Sequence, residues 1–386
     1  MSGGKMKEYN WREEREKFRP DFQKKAEEPA FQPPEDNSQG DARKIVAVIA
    51  GLAVIALIVV GCVFFLNKKS AEKSIPAEQE SQKATETQDT ATMLAEAAEK
   101  NKNAVGLVTV TIEMRSGIKH VETIGTAWAF DEQKFATNAH VTNGIGETVR
   151  NIKKYLAVLI LTDYAKKQNI SSLDALVQKV GKEAFEKLCE EAMALVQQEI
   201  KEVSASIVIN GTHGKNYTIS HYQIHKNYGI SGTKFNPDVA VLTIQEKHNS
   251  FFKIAKGEKI KSLKAGDPIA FLGFPMENLM DGNVNVTNPV ASMQTGNIVA
   301  VSDFDLKDAG KDGNLLIRHN LPAAGGASGS PIFNRNGEVV ALLYGINIIR
   351  QKNGERAPSP AQINLAVRAD LIEGMGKKLP VAQLLK

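Results

Sequence analysis

The sequence predicts a mainly β protein that carries a helical insertion and is preceded by a single transmembrane helix. Three observations carry this expectation. Twelve short β-type runs, separated by Gly, Asn and Asp turns, recur along the chain beyond residue 100. Between residues 147 and 204 the composition turns to Ala, Glu, Lys, Gln and Leu. Upstream, residues 45–66 form an apolar run without a charged side chain.

That run, "IVAVIAGLAVIALIVVGCVFFL", has 22 residues flanked by Arg43, Lys44, Lys68 and Lys69. As a helix it is long enough to cross a bilayer. It is too long and starts too late for a cleaved signal peptide. The tail before it, residues 1–44, mixes Pro, Gln and charge with few apolar side chains and reads as disordered. It holds ten Lys and Arg against four in residues 67–90. The bias favours an N-terminus inside the cell and a peripheral domain on the periplasmic or extracellular side. Residues 67–90 read as a polar tether and the folded part as 91–378, with a short C-terminal tail at 379–386.

The folded part opens with a helical pattern, "ATMLAEAAEKNKNA", and then turns to strands. The β-type runs are "VGLVTVTIE", "GTAWAF", "KFATNAHV", "SIVIN", "YTISHYQIH", "VAVLTI", "PIAFLGF", "GNIVAVS", "LLIRHN", "SPIF", "EVVALLYGINII" and "INLAVRA". Short strands at this spacing suggest a sandwich or barrel, and their number suits two six-stranded units. In the insertion, Ser171 and Ser172 can cap a helix with Leu173, Leu176, Val180, Leu188, Ala192, Leu195 and Ile200 on one stripe. Such a helix would run about 30 residues, or about 45 Å. "ETVRNIKKYLAVLILTDYAKKQ" reads as a second helix, although "LAVLIL" also fits a strand. The stripe can pack on the β core, or the insertion can shield a cleft or mediate self-association into a homo-oligomer.

Bulk properties exclude several functions. The net charge of +4 is small and spread out, with no basic run interleaved with aromatics, so no nucleic-acid partner is expected. The two cysteines, Cys62 in the apolar run and Cys189 in a helical pattern, suit neither a disulfide nor a Cys/His metal site. No metal or cofactor is expected.

Three segments carry chemistry together. "FATNAHV" places His140 just past a strand, "NPDVAVLTI" places Asp238 at the mouth of another, and "GGASGSP" places Ser328 on a glycine turn. A serine hydroxyl is a weak nucleophile at neutral pH and needs a base. An imidazole, with an ordinary pKa of about 6.5, fits that task when a carboxylate fixes its tautomer. The glycines give the turn unusual backbone freedom, so the N–H groups of Gly326 and Ser328 could both point at a developing oxyanion. "GASGS" is not the nucleophile elbow of α/β-hydrolases, because Ser330 stands at its second glycine and the order here is His, Asp, Ser.

At these residues the chain resembles the trypsin-like serine peptidases, and among them the HtrA group. The matching segments are "GTAWAF", "FATNAHV", "DVAVLTI", "GDPIAFLGFP", "TGNIVAVS", "GGASGSPIFNRNGEVVAL" and "INLAVRADLI", in the family's order over roughly residues 100–375. The resemblance implies two packed six-stranded β-barrels of the chymotrypsin-like kind, with the insertion in the first. It implies His140 as general base, Asp238 as its orienter, Ser328 as nucleophile, and Gly326 and Ser328 as the oxyanion hole. Partners would then be protein or peptide substrates, and the activity a membrane-anchored serine endopeptidase acting on extracytoplasmic proteins. The family's count to the primary pocket falls on Pro322, with Leu342 and Leu343 on the wall strand, and predicts cleavage after Val, Ala, Ile or Leu. Three features depart from the HtrA pattern. No PDZ domain is expected, since the chain ends soon after the last strand. Ala327 stands where Asn is common. The 147–204 insertion is additional. A catalytically idle peptidase fold that uses its insertion as a binding module is the alternative reading.

Overall fold

The computed structural model describes residues 77–386, apart from 212–214, 276–284, 346–347, 351–355 and 359–362. The tail 1–44 and the expected transmembrane helix 45–66 lie outside the described residues. Among the described residues, no helix is long and apolar enough to cross a membrane. Thr90–Lys386 belong to one compact unit, and of a second unit, Asp21–Asp89, only 77–89 are described.

Helix α1 (Ala77–Asn101) begins well before residue 91, so the stretch read as a tether is in part helical. Its Leu94, Ala97 and Ala98 are buried on one face of the core. The strands that follow are β1 (Val105–Met114), β2 (Lys119–Asp131) and β3 (Lys134–Thr137). Helix α2 (Ala139–Lys167) comes next, then α3 (Leu173–Val180) and α4 (Lys182–Glu199). Strands β4 (Ile200–Ile209), β5 (Asn216–Ile224) and β6 (Ala240–Ile244) complete the first half. These six close into an antiparallel barrel in the order β5-β4-β1-β2-β3-β6, with β5 pairing β6.

A second barrel follows. Strands β7 (Lys253–Ile254), β8 (Pro268–Gly273), β9 (Ser292–Ser302), β10 (Leu316–His319), β11 (Pro331–Phe333) and β12 (Glu338–Gly345) lead to the short pair β13 (Ile348–Arg350) and β14 (Arg356–Pro358). Strand β15 (Asn364–Arg368) returns to the barrel. The ring runs β11-β8-β9-β10-β15-β12 and closes through β11–β12, while β7 adds a parallel strand on β12. Strand β16 (Leu379–Pro380) pairs with β5 of the first barrel. The architecture is two closed six-stranded barrels. Trp128, Phe135, Leu107 and Ile207 fill the first and Phe271, Ile317, Phe333 and Val340 the second, all fully buried.

The insertion differs from expectation in two ways. Its helices span 139–199, so "AHV" is helix and not strand, while "LAVLIL" is helix, in keeping with the second helix read there. The long helix expected from Ser172 is broken at Gly181, whose φ of +82° lies outside the helical region and separates α3 from α4. A continuous apolar stripe concealed that break, because glycine inside a helix costs only about 1 kcal/mol relative to Ala. Ser172 does cap α3, its hydroxyl accepting from Ala175 N at 3.1 Å. On α2, Val141, Ile145, Val149, Ile152, Leu156 and Ile160 recur at helical spacing and join the core, as do Ala192 and Val196 of α4. The insertion is thus packed on the first barrel through its apolar face.

Candidate active site

Pairing of β3 with β6 places two of the candidate residues side by side. The strands are antiparallel, with Thr137 opposite Ala240, so residues just after β3 lie beside residues just before β6. Asn138 holds an extended backbone, and α2 then starts with His140 in its first turn. His140 Nδ1 lies 2.5 Å from Asp238 Oδ2, and His140 N donates to Asp238 Oδ1 at 2.9 Å. Asn138 Nδ2 donates to the Asp238 carbonyl at 2.7 Å, fixing the backbone that carries the carboxylate. A carboxylate only accepts, so in the neutral ring Nδ1 carries the proton and Nε2 the lone pair. The Asp238 side chain is 8% exposed and that of His140 42%. The carboxylate is therefore sheltered while the imidazole stays open to solvent.

Two phenols stand near this carboxylate. Burial, then the negative charge of Asp238, pushes Tyr344 up to about 12. Burial and the same charge also raise Tyr228. Both remain neutral donors at physiological pH.

Ser328 sits half-buried on the loop between β10 and β11. Gly326 and Gly329 adopt φ of +85° and +87°, a region open to glycine and costly for other residues. A Cβ at Gly329 would also overlap Thr126 O and Thr137 Oγ1. The loop is latched to β2 of the first barrel at one residue. Thr126 N donates to Ser328 O at 2.9 Å, and Thr126 Oγ1 donates to Gly326 O at 2.9 Å. The same hydroxyl accepts from Phe274 N at 3.2 Å, and Thr126 O accepts from Thr137 Oγ1 at 2.7 Å. Next to it, a Cβ on Gly125 would lie 2.9 Å from Val141 and 3.1 Å from Ser328 O. Strand β2 therefore brings the His140 helix and the Ser328 loop together across an unbranched backbone.

The residues named for a primary pocket are placed differently from one another. Pro322 is exposed, whereas Leu342 and Leu343, at 0% and 2% exposure, are buried on β12 of the second barrel. The register of β12 against β15 shifts between Leu343 and Gly345. Tyr344 is the β12 side chain that lines a cleft of about 680 Å³ beside Asp238. An alternation count made on the sequence cannot register that shift. Sequence reasoning also missed Thr126, since one threonine in a strand carries no signal of its distant partners.

The family model "Trypsin-like peptidase domain" matches residues 125–342, more than half of the chain. The chain belongs to this family. Members of the trypsin-like peptidase family are serine hydrolases, and the two closed barrels have the chymotrypsin-like arrangement. No curated protein matches the sequence. Among solved structures, one described as HtrA-type protease AlgW with decapeptide matches at 14% identity and a TM-score of 0.40, covering 72% of this chain and 64% of that one. Another, the same protease with tripeptide, matches at 14% identity and a TM-score of 0.39, covering 72% and 60%. The chain spans less than two thirds of the length of these solved relatives.

Proposed function

We propose that this trypsin-like family member is an active serine endopeptidase, held at a membrane by residues 45–66, that hydrolyses extracytoplasmic proteins through an acyl-enzyme. The observation that carries the reading is the doubly bonded pair of His140 and Asp238, with Nδ1 2.5 Å from the carboxylate. In this reading Nε2 takes the Ser328 proton as the hydroxyl attacks the scissile carbonyl, and later returns it to the leaving amine. Asp238 holds the ring and stabilises the imidazolium. Among the described residues, the Ala327, Gly329 and Ser330 amides of the loop donate to backbone carbonyls, whereas those of Gly326 and Ser328 do not. Those two amides are the ones assigned to the oxyanion. No acidic residue lies between Asp312 and Ser328 to pair a basic substrate side chain, which fits cleavage after Val, Ala, Ile or Leu.

A fluorophosphonate probe tests the reading directly. The expected result is labelling of Ser328 that disappears in Ser328→Ala and falls steeply in His140→Ala. A folded protein that never labels would instead favour a binding module built on a peptidase fold. For the membrane reading, externally added protease should digest the domain once outer barriers are opened, while the tail carrying Trp11 stays protected. Protection of the domain under those conditions would reverse the orientation.

A further inference from the structure

The cleft of about 680 Å³ beside Asp238 has a charge that the triad does not use. Its walls come from both barrels. Lys234 and Asp238 lie on the approach to β6, Leu316 and Arg318 on β10, Tyr344 on β12 and Leu365 on β15. Along β10 the flanking residues Ile317 and His319 are fully buried in the barrel, and Arg318 between them faces the cleft. Its Nε is shut off from solvent and has no hydrogen-bond partner among the described residues.

The described carboxylates in reach of this cleft are already committed. Asp238 is bonded twice by His140. Asp305 pairs with Lys234 at 2.7 Å. Asp303 accepts from the amides of Asp305 and Lys307. The Arg318 guanidinium therefore lines an open, partly apolar cleft with no described carboxylate paired to it. Sheltered donors in native proteins nearly always find an acceptor. A guanidinium offers a planar fork that fits a carboxylate through two parallel hydrogen bonds. The phenol of Tyr344, held neutral, can add a third donor.

We propose that Arg318 makes this cleft a subsite for an acidic side chain, Asp or Glu, of the peptide substrate near its scissile bond. The assignment rests on the peptidase reading above. In that reading His140 acts on Ser328 beside the bound peptide, and its partner Asp238 is among the residues that line the cleft. Leu316 and Leu365 supply apolar surface for the methylenes of the bound side chain, and Arg318 its counter-charge.

The test compares matched peptides that differ only by Glu or Gln, scanned through positions on either side of the cleaved bond, using the full chain. At one position Glu should raise kcat/KM on the order of tenfold or more over Gln, the scale of a charge-assisted hydrogen bond. In Arg318→Gln that ratio should fall to about one, and Arg318→Lys should keep part of it. The ratio is read within each variant, so a change in absolute rate cancels. An equal rate for Glu and Gln at every position overturns the proposal, and that result needs no variant to fold. A preference that survives in Arg318→Gln also overturns it. If Ser328 fails to label with fluorophosphonate in the parent, the peptidase reading fails. Labelling without any Glu preference sinks the subsite alone.

Discussion

Replacing Thr126 by Val removes one hydroxyl from the junction of the two barrels and nearly preserves its shape. Thr126 is fully buried, and its Oγ1 both donates to Gly326 O and accepts from Phe274 N. Without the hydroxyl, a backbone carbonyl and a backbone N–H lose their partners in a site closed to water. Each unpaired group costs about 1–3 kcal/mol, so a loss of about 2–4 kcal/mol is expected after partial relaxation. That is a large share of a typical folding free energy of about 5–15 kcal/mol. Thr126→Ser is the control. It keeps the hydroxyl and loses one buried methyl, at a cost of about 1 kcal/mol. Urea unfolding of the parent and both variants reads the stability. The fluorophosphonate labelling rate of Ser328 reads the geometry of the loop, and Val should slow it more than Ser. Equal stability and equal labelling in the two variants would refute the assignment of Thr126 as the latch.

Other outcomes follow from the same contacts. If His140 and Ser328 act as a unit, Ser328→Ala should lower turnover on the order of 10⁶-fold, and adding His140→Ala should cost little more. Multiplying losses in the double variant would contradict a shared step. Gly329→Ala, which puts a Cβ on Thr126 O at a φ of +87°, should destabilise by about 2–4 kcal/mol in a thermal or urea melt. A neutral effect would mean that the loop has an alternative conformation. Burial pushes His319 down to about 4, below the ordinary imidazole value. The unfolded chain then takes up this proton first as the pH falls. The stabilisation is full above about pH 6.5 and is lost toward pH 4, by roughly 3 kcal/mol. His319→Asn should show a weaker acid loss than the parent over that window, and an identical pH profile would count against the burial argument.

The order His140, Asp238, Ser328 and the alternating strand beside each could be read directly from the chain. Local chemistry suffices there: glycines that tolerate positive φ, β-type runs beside each candidate, a residue set that suits nucleophile activation. The β class was legible for the same reason, because alternation and turn residues are local signals. The start of α1 at Ala77 was not, since a polar sequence without an apolar stripe gives no helical period until Leu94 packs on the core. Gly181 shows the converse, an apolar stripe that continues across a break in the backbone. Tertiary structure alone decided the rest. It joined Thr126 to Gly326 across 200 residues and to Phe274 across 148, contacts that no window of the sequence contains. It shifted the register of β12 after Leu343, with both leucines buried and Tyr344 on the cleft. It also placed Arg318 and Asp238 on one cleft, with Arg318 Nε lacking an acceptor among the described residues. The amino-acid types set what each side chain can donate, accept or bury, while the closure of two barrels decides which of them meet.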